Sequence, residues 1–377
     1  MIGRRLICLC IAWSMLPAVA AAPPSAEMQV RELARTWLID NDGVGLSIGI
    51  YDDGQRWFAN AGATQLDGNR PPTKDTVYEI GSLTKTMTGQ LLARAVVEGR
   101  AVLEDEVSKY LPFPYPNLAN GGVPVRLAHL VSGTSQLVDN IPDLTQLRLV
   151  PGEPFAVTQM RVYDGYTRAD FLQQLQRVVP TAPPGGDPVY SNVASMVLGE
   201  ALEKIYDAPF EQILAREIER PLRMASGIAP PARQLARGHS DKNEMLPPFS
   251  AKSQHASLTL RYSADDLLKY ATWQLVERDA SVKLAHRPLW TTPDGRQGVA
   301  FYWIVGESER GRRVRYAGAT YGFTAVCELY PDARLAVVLL SNKAADGAQD
   351  SLRALSAKIV ELIRPPLSSA GAPPPAR

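Results

Sequence analysis

Cysteine, histidine and any bias of charge are scarce in this chain, and each scarcity removes a class of function. Of three cysteines, Cys8 and Cys10 fall in the first apolar run, so a chain cut after that run keeps Cys327 alone and forms no internal disulfide. The four histidines, His129, His239, His255 and His286, have no metal-ligand spacing with one another or with Cys327. No metal is expected. Cys327 lies on an expected strand without a positioned histidine nearby in sequence, which is the setting of a buried thiol rather than a nucleophile. Forty basic residues against thirty-nine acidic leave a net charge of +1, and neither sign gathers into a block. That excludes the electrostatic footprint of a nucleic-acid or anionic-membrane partner and points to a small molecule or a peptide. There is no glycine-rich phosphate loop, no internal repeat and no expected cofactor. The acidic stretch LEDEV at 103–107 is a solvated segment.

Long apolar runs are also lacking, apart from one at the N-terminus. Arg4 and Arg5 precede LICLCIAWSMLPAVA, and Ala18, Val19 and Ala20 followed by Ala21 and Ala22 supply small-residue cleavage sites. This is the pattern of a secretory signal over residues 1–22, in a run too short to span a membrane. An exported chain without disulfides points to a bacterial periplasmic or secreted protein.

What is present is an ordered change of periodicity. An amphipathic helix at about 26–39 leads into VGLSIGIYDDGQRWFANAG, where two alternating apolar runs flank Asp52, Asp53 and Gly54 as a hairpin requires. From Ser82 to about Leu275 the pattern is mostly helical, interrupted by Pro-rich and Gly-rich loops. Strands return in GVAFYWIVGE, RRVRYAG, FTAVCELYPD and RLAVVLLSNK, before a last amphipathic helix at about 349–363. The order predicts an α/β sheet unit built from 23–80 and 288–363, with a mostly helical unit, 81–287, inserted between its parts. The Pro- and Ala-rich end, 364–377, is expected to be disordered.

Two serines compete for the role of nucleophile. Gly45, Ser47 and Gly49 satisfy GxSxG, whose chemistry needs a sharp turn from strand into helix. Here Leu46, Ile48 and Ile50 alternate along a strand that runs on to Tyr51, so no helix follows and Ser47 is a decoy. Ser82, in YEIGSLTKTMTG, fits its context better. It follows Gly81 at the start of a helical pattern, where unpaired N–H groups and the helix dipole favour negative charge, and Lys85 lies one turn on along the same face. A lysine there accepts or relays the serine proton if burial lowers its pKa, or stabilises the alkoxide if it stays charged. SxxK alone is common by chance, and a plain helix N-cap is the ordinary alternative for Ser82. Tyr190 and Asn192, on a turn before another helix, add a proton shuttle and an amide to hold Lys85 or substrate, provided that Lys85 lowers the pKa of Tyr190. The second YxN, at Tyr115 and Asn117, sits in a Pro-rich loop and is set aside.

With these residues assembled, SLTK at 82–85, YSN at 190–192 and AGATYGF at 317–323 resemble, in order, the three motifs of the serine β-lactamase and penicillin-binding-protein superfamily. The similar branch contains class C β-lactamases, D-alanyl-D-alanine carboxypeptidases and family VIII carboxylesterases; class A enzymes, with SDN as second motif, fit less well. VRLAHLVSGTSQL at 125–137 and LAVVLLSNK at 335–343 extend the resemblance over nearly the whole chain after the signal, and 138–180 and 225–260 resemble it least. The resemblance implies an antiparallel sheet flanked by helices, with an inserted all-α domain and the site in the cleft between. It implies Ser82 as acylated nucleophile, Lys85 and Tyr190 as the general-base pair, Asn192 as the group that orients substrate, and the N–H groups of Ser82 and Ala319 as oxyanion hole. Gly318 is then expected to let substrate backbone approach closely. Two positions depart from the pattern. Tyr316 stands where relatives have the Lys or His that seats a carboxylate, with Arg315 expected on the opposite face, and Gly133 stands where relatives commonly have histidine. The expectation is a periplasmic serine hydrolase acting through an acyl-enzyme on an ester or amide, of carboxylesterase, β-lactamase or D-Ala-D-Ala carboxypeptidase type, with Tyr316 shifting the balance towards uncharged esters or amides. The alternative is a catalytically weak relative that binds peptidoglycan peptides.

Overall fold

The computed structural model describes residues 24–365, apart from 145, 146 and 149. The expected signal segment and all but residues 364 and 365 of the expected tail lie outside the described residues. Among the described residues no helix is long and apolar enough to cross a membrane.

Strands β1 (Gly45–Asp52) and β2 (Gln55–Gly62) form the hairpin that the Asp-Gly pair calls for. Asp53 and Gly54 both take positive φ, 44° and 99°, which matches the right-handed twist of the strands they join. A short strand β3 (Val77–Glu79) follows, paired far along the chain with β4 (Arg261–Ser263). The other strands of the main sheet are β5 (Trp290–Thr291), β6 (Gln297–Val299), β7 (Ile304–Ser308), β8 (Gly311–Ala319), β9 (Thr324–Tyr330) and β10 (Leu335–Ser341). Apart from β3 and β4 they make one eight-stranded antiparallel sheet in the order β2-β1-β10-β9-β8-β7-β6-β5, so the two ends of the chain meet where β1 pairs with β10. This is the α/β architecture expected of the sequence.

The central strands alternate in what they bury on each face. Leu335, Val337 and Leu339 of β10, with Leu46, Ile48 and Ile50 of β1, pack under helices α1 (Pro24–Asp40) and α7 (Ala348–Ile363), which contribute Val30, Trp37, Leu352 and Ile359. Ala336, Val338 and Leu340 face the other way, with Ala325 and Cys327. On that side one continuous core runs into α2 (Thr84–Val97), α5 (Asn192–Tyr206) and α6 (Ala264–Val276), and two shorter helices, α3 (Leu127–Ser132) and α4 (Phe155–Gly165), stand near the cleft. Each fully buried Leu or Val in these layers contributes about 1.5–3 kcal/mol. Helix α2 is buried along most of its length, polar residues included, which places whatever its first turn carries inside the molecule.

Ser47 is buried in the middle of β1, its hydroxyl 2.9 Å from the Tyr78 hydroxyl, with no helix after it. Ser47→Ala is therefore expected to keep the rate of any reaction at Ser82 while lowering stability by about 1–3 kcal/mol, because Tyr78 loses its partner. Denaturant unfolding and a rate assay on the same sample check both halves; a loss of rate at unchanged stability would restore Ser47 as a candidate.

Candidate active site

Ser82 lies in a single turn of 3-10 helix, Gly81–Leu83, wedged between β3 and α2. Its side chain does not cap the helix: Leu83 holds the N-cap position of α2 with no side-chain bond. The Ser82 hydroxyl instead meets the Tyr190 hydroxyl in a short hydrogen bond and lies 3.4 Å from Lys85 Nζ. That geometry replaces the N-cap alternative.

Lys85 is 1% exposed, and four acceptors surround its three N–H donors: Asn192 Oδ1 at 2.6 Å, Tyr190 Oη at 3.0 Å, Ser257 O at 3.2 Å and the more distant Ser82 Oγ. Burial drives its pKa down to about 7, and the negative charge of Asp139 opposes the fall. Tyr190 comes from the extended segment before α5, where Ser191 caps the helix by accepting from Ala194 N–H. Its side chain reaches inward, so that a residue 49% exposed overall still has its hydroxyl enclosed by Ser82, Lys85 and Asn192. Burial of that hydroxyl pushes its pKa up to about 12, against the lowering effect of the Ser82 hydrogen bond. This corrects the expectation of a more acidic Tyr190: desolvation outweighs the lowering by the Ser82 hydrogen bond, and the phenol keeps its proton at neutral pH.

Asn192 opens α5 with its amide fully engaged. Its Nδ2 donates to Asp139 Oδ1 at 3.1 Å and Asn140 Oδ1 at 2.9 Å, while Oδ1 accepts from Lys85 and from Ser257 Oγ at 3.1 Å. Neither Asp139, Asn140 nor Ser257 was singled out from sequence; the first two follow the resembling SGTSQL segment by two and three residues, and nothing marks the third.

The third segment arrives on β8. A Cβ placed on Gly318 would lie 2.1 Å from Ile80 O and 2.7 Å from Ser82 N, and one on Gly81, at φ +53°, would lie 2.4 Å from Ala319 O. The close approach at Gly318 is thus made by the turn that carries Ser82, not by substrate, which corrects the expected reason for that glycine. Just beyond, Thr320 Oγ1 donates to Glu79 Oε2 at 2.7 Å, and Phe249 N–H donates to Glu79 Oε1 at 2.7 Å. Glu79 is 2% exposed; burial raises its pKa and Arg261 opposes the rise. It ties β3, the end of β8 and the wall of the cleft together, another role that sequence reading missed.

Ser82, Tyr190, Asn192 and Ala319 open on one cavity of about 810 Å³. Phe155, Tyr163, Phe249, Leu144, Leu258 and Tyr321 form its aromatic and apolar walls, Tyr163 and Tyr321 meeting Phe249 edge to face, and Asn140, Asp143, Gln159, Thr320 and Gln349 add polar groups. Among the described residues that line it there is no Lys, Arg or His. Lys85 lies behind Ser82, outside the lining of this cavity, and borders a slot beyond Tyr190. Tyr316 lies outside this cavity, beside a narrower slot on the far side of Tyr190, and Arg315 pairs across the strands with Glu328. The set-aside pair is structural: Tyr115 and Asn117 bond to the backbone at Leu172, Leu175 and Val178.

A comparison with family models matches residues 30–361 to the beta-lactamase family. The D-alanyl-D-alanine-carboxypeptidase/endopeptidase AmpH of Escherichia coli K12 is 29% identical over 227 residues, 59% of this chain and 56% of AmpH, so the match spans little more than half of that relative. A beta-lactamase of Escherichia coli K12 is 22% identical over 374 residues, 88% of this chain and 93% of its own. Among solved structures, a beta-lactamase/D-alanine carboxypeptidase from Pseudomonas syringae superposes with a TM-score of 0.74 at 18% identity, covering 89% of this chain and 99% of that one. A class C beta-lactamase gives 0.73 at 19%, over 91% and 98%. These likenesses show the fold.

Gly318→Ala is expected to force the Ile80–Leu83 backbone away from β8, at a cost of about 1–3 kcal/mol or more. Denaturant unfolding measures it, and a stability equal to the parent's would mean that turn and strand give way freely.

Proposed function

The chain belongs to the beta-lactamase family, and from that premise we propose that it is a bacterial serine hydrolase that passes through an acyl-enzyme on Ser82. One observation carries the reading: Ser82 Oγ, Tyr190 Oη and Lys85 Nζ close on one another at the floor of a cavity, with a lysine whose pKa is brought near neutrality. A module that merely bound peptides would have no use for a buried lysine, whose desolvation costs stability.

The distances suggest the path of the proton. Tyr190 Oη lies closer to both partners than they lie to each other, so the phenol receives the serine proton as it passes its own to neutral Lys85. No tyrosinate forms, consistent with a phenol pKa of about 12. Ser82 Oγ attacks the carbonyl carbon, and the oxyanion is held by the N–H groups of Ser82 and Ala319. As the tetrahedral intermediate collapses, the carbonyl–leaving-group bond breaks and Tyr190 protonates the leaving atom, resupplied by Lys85. Water then repeats the sequence on the ester of Ser82. Asn192 fixes Lys85 and presents itself to the acyl group.

The substrate is an uncharged ester or amide with an apolar or aromatic acyl part. Tyr316 replaces the cation that seats a carboxylate, and the described walls of the cavity supply no other. A substrate with a free carboxylate beside the scissile bond would bury it against aromatic rings. The N-terminal apolar run behind Arg4 and Arg5, which has the pattern of a secretory signal, supports a reaction in the periplasm or outside the cell.

Two predictions follow from Lys85 and Ser82. Below about pH 7 Lys85 holds its own proton and cannot take another, so kcat/KM is expected to rise with pH through an inflection near 7. Asp139→Asn removes the charge that favours the ammonium and should move the inflection to lower pH; a profile flat from pH 5 to 9 in both proteins would exclude Lys85 as base. A fluorophosphonate probe is expected to label the parent and spare Ser82→Ala, and nitrophenyl butyrate turnover should fall by about 10³-fold or more in the mutant. An unlabelled parent with no esterase activity would leave the peptide-binding alternative.

A further inference from the structure

Ala319 is the last residue of β8 that the sheet holds, paired in register with Thr324 of β9. The chain leaves the ladder at Thr320, so the residue whose N–H completes the oxyanion hole sits at a strand end, where backbone opens most easily. We propose that Glu79 is a positioning residue for that hole: its buried carboxylate tethers Thr320 and so fixes the Ala319 N–H against the Ser82 turn.

The inference deepens the acyl-enzyme reading and rests on it, and three observations carry it. First, Thr320 makes two bonds beyond the ladder: its N–H donates to Phe323 O at 3.0 Å and its hydroxyl donates to Glu79 Oε2 at 2.7 Å. The first closes a turn and moves with it; the second reaches across to the segment that carries Ser82, three residues on from Glu79. Second, that bond works against a fixed stop. A Cβ on Gly81 would lie 2.5 Å from Ala319 N, so the Ala319 peptide already rests on the Ser82 turn and can move only away from it. The tether opposes that one free direction. Third, Glu79 is itself held. It ends β3, opposite Arg261 of β4 in register, and its Oε1 accepts from Phe249 N–H at 2.7 Å, while Arg261 Nη2 donates to Phe249 O at 2.5 Å.

The chemistry of the side chain fits the task. Two donors, the Thr320 hydroxyl and the Phe249 N–H, take one oxygen each, and a carboxylate offers both where an amide offers one. A bare negative charge beside the hole would oppose the oxyanion, but Arg261 Nε lies 3.7 Å from Glu79 Oε1 and offsets it. What Glu79 passes to the hole is therefore geometry. A hydrogen bond weakens steeply as its angle opens, so a small retreat of Ala319 costs transition-state stabilisation without touching the base.

The test compares 4-nitrophenyl butyrate with its thiono ester, in which sulfur replaces the carbonyl oxygen; a tight hole favours the smaller, better acceptor. In Thr320→Val, which keeps the shape and removes the hydroxyl, the kcat/KM ratio of ester to thiono ester is expected to fall about tenfold, and in Thr320→Ser to stay within about threefold of the parent's. Glu79→Gln should lower the ratio as well, and should change it less than about twofold once Thr320→Val is present, because both substitutions cut one tether. The pH inflection of kcat/KM near 7 should stay in place throughout, since Lys85 is untouched. A parent-like ratio in folded Thr320→Val, an equal loss in Thr320→Ser, or additive effects of the two substitutions would overturn the inference. If Thr320→Val does not fold, as denaturant unfolding would show, Glu79→Gln alone decides by whether the ratio falls. Failure of the reading beneath looks different: the fluorophosphonate would then leave Ser82 of the parent unlabelled.

Discussion

Everything at the site hangs on a contact between two stretches of backbone. The turn Ile80–Leu83 and the end of β8 approach so closely that neither Gly81 nor Gly318 has room for a methyl group. Only there do the N–H of Ser82 and the residue Ala319 come to face one cavity. The contact is expensive to arrange, because the two stretches lie more than two hundred residues apart and each must be fixed separately. The sheet fixes one: β8 is held in register by β7 and β9. The pairing of β3 with β4, and the Ile80 N–H bond to Leu260 O at 3.0 Å, fix the other. Glu79 then bolts them together through Thr320.

The second cost is Lys85. An ammonium inside a protein is tolerated only with nearly all its donors satisfied, and an amine whose pKa falls to about 7 is one whose charge the fold barely supports. The surroundings hold that balance from both sides. Ser257 O, Asn192 Oδ1 and the nearby charge of Asp139 favour the cation; enclosure by α2, α5 and the loop before β4 opposes it. Asn192 cannot rotate to release the lysine without breaking its own bonds to Asp139 and Asn140. The proposed base is thus poised by a set of contacts rather than by any one neighbour.

What could be read from the sequence was what local rules govern. The hairpin at Asp53 and Gly54, the alternation along β1 and β10, the rejection of Ser47 for want of a following helix, and the placing of Ser82 and Lys85 on one helical face all follow from spacing and turn chemistry within a few residues. What escaped was set by tertiary neighbours. Glu79 stands three residues before Ser82 in plain view, but its partners Thr320 and Phe249 lie far along the chain. Ser257 contributes a carbonyl to Lys85, which any residue has, and a hydroxyl to Asn192 that no nearby motif marks. Gly318 was recognised as a place of close approach, but not by what. The acidity of Tyr190 was misjudged because sequence supplies the cation and hides the desolvation, and desolvation is the larger effect.

That misjudgement sharpens the chemistry. If the tyrosine were the stronger acid, the resting site would hold a phenolate beside an ammonium, and an arriving carboxylate would meet repulsion from one and attraction from the other. With the phenol neutral and the amine titrating near pH 7, the Ser82–Tyr190–Lys85 group holds no fixed ion pair, and Tyr316 adds no charge in place of a cation. Such a site gives a substrate carboxylate no cation to meet, and the Asp143 side chain in the cavity wall supplies none, so a carboxylate brings only the cost of drying it. Its selectivity must therefore come from the shape of the cavity and from single hydrogen bonds, between the rings of Phe155, Tyr163, Phe249 and Tyr321 and the polar side chains of Asn140, Gln159 and Thr320 set among them.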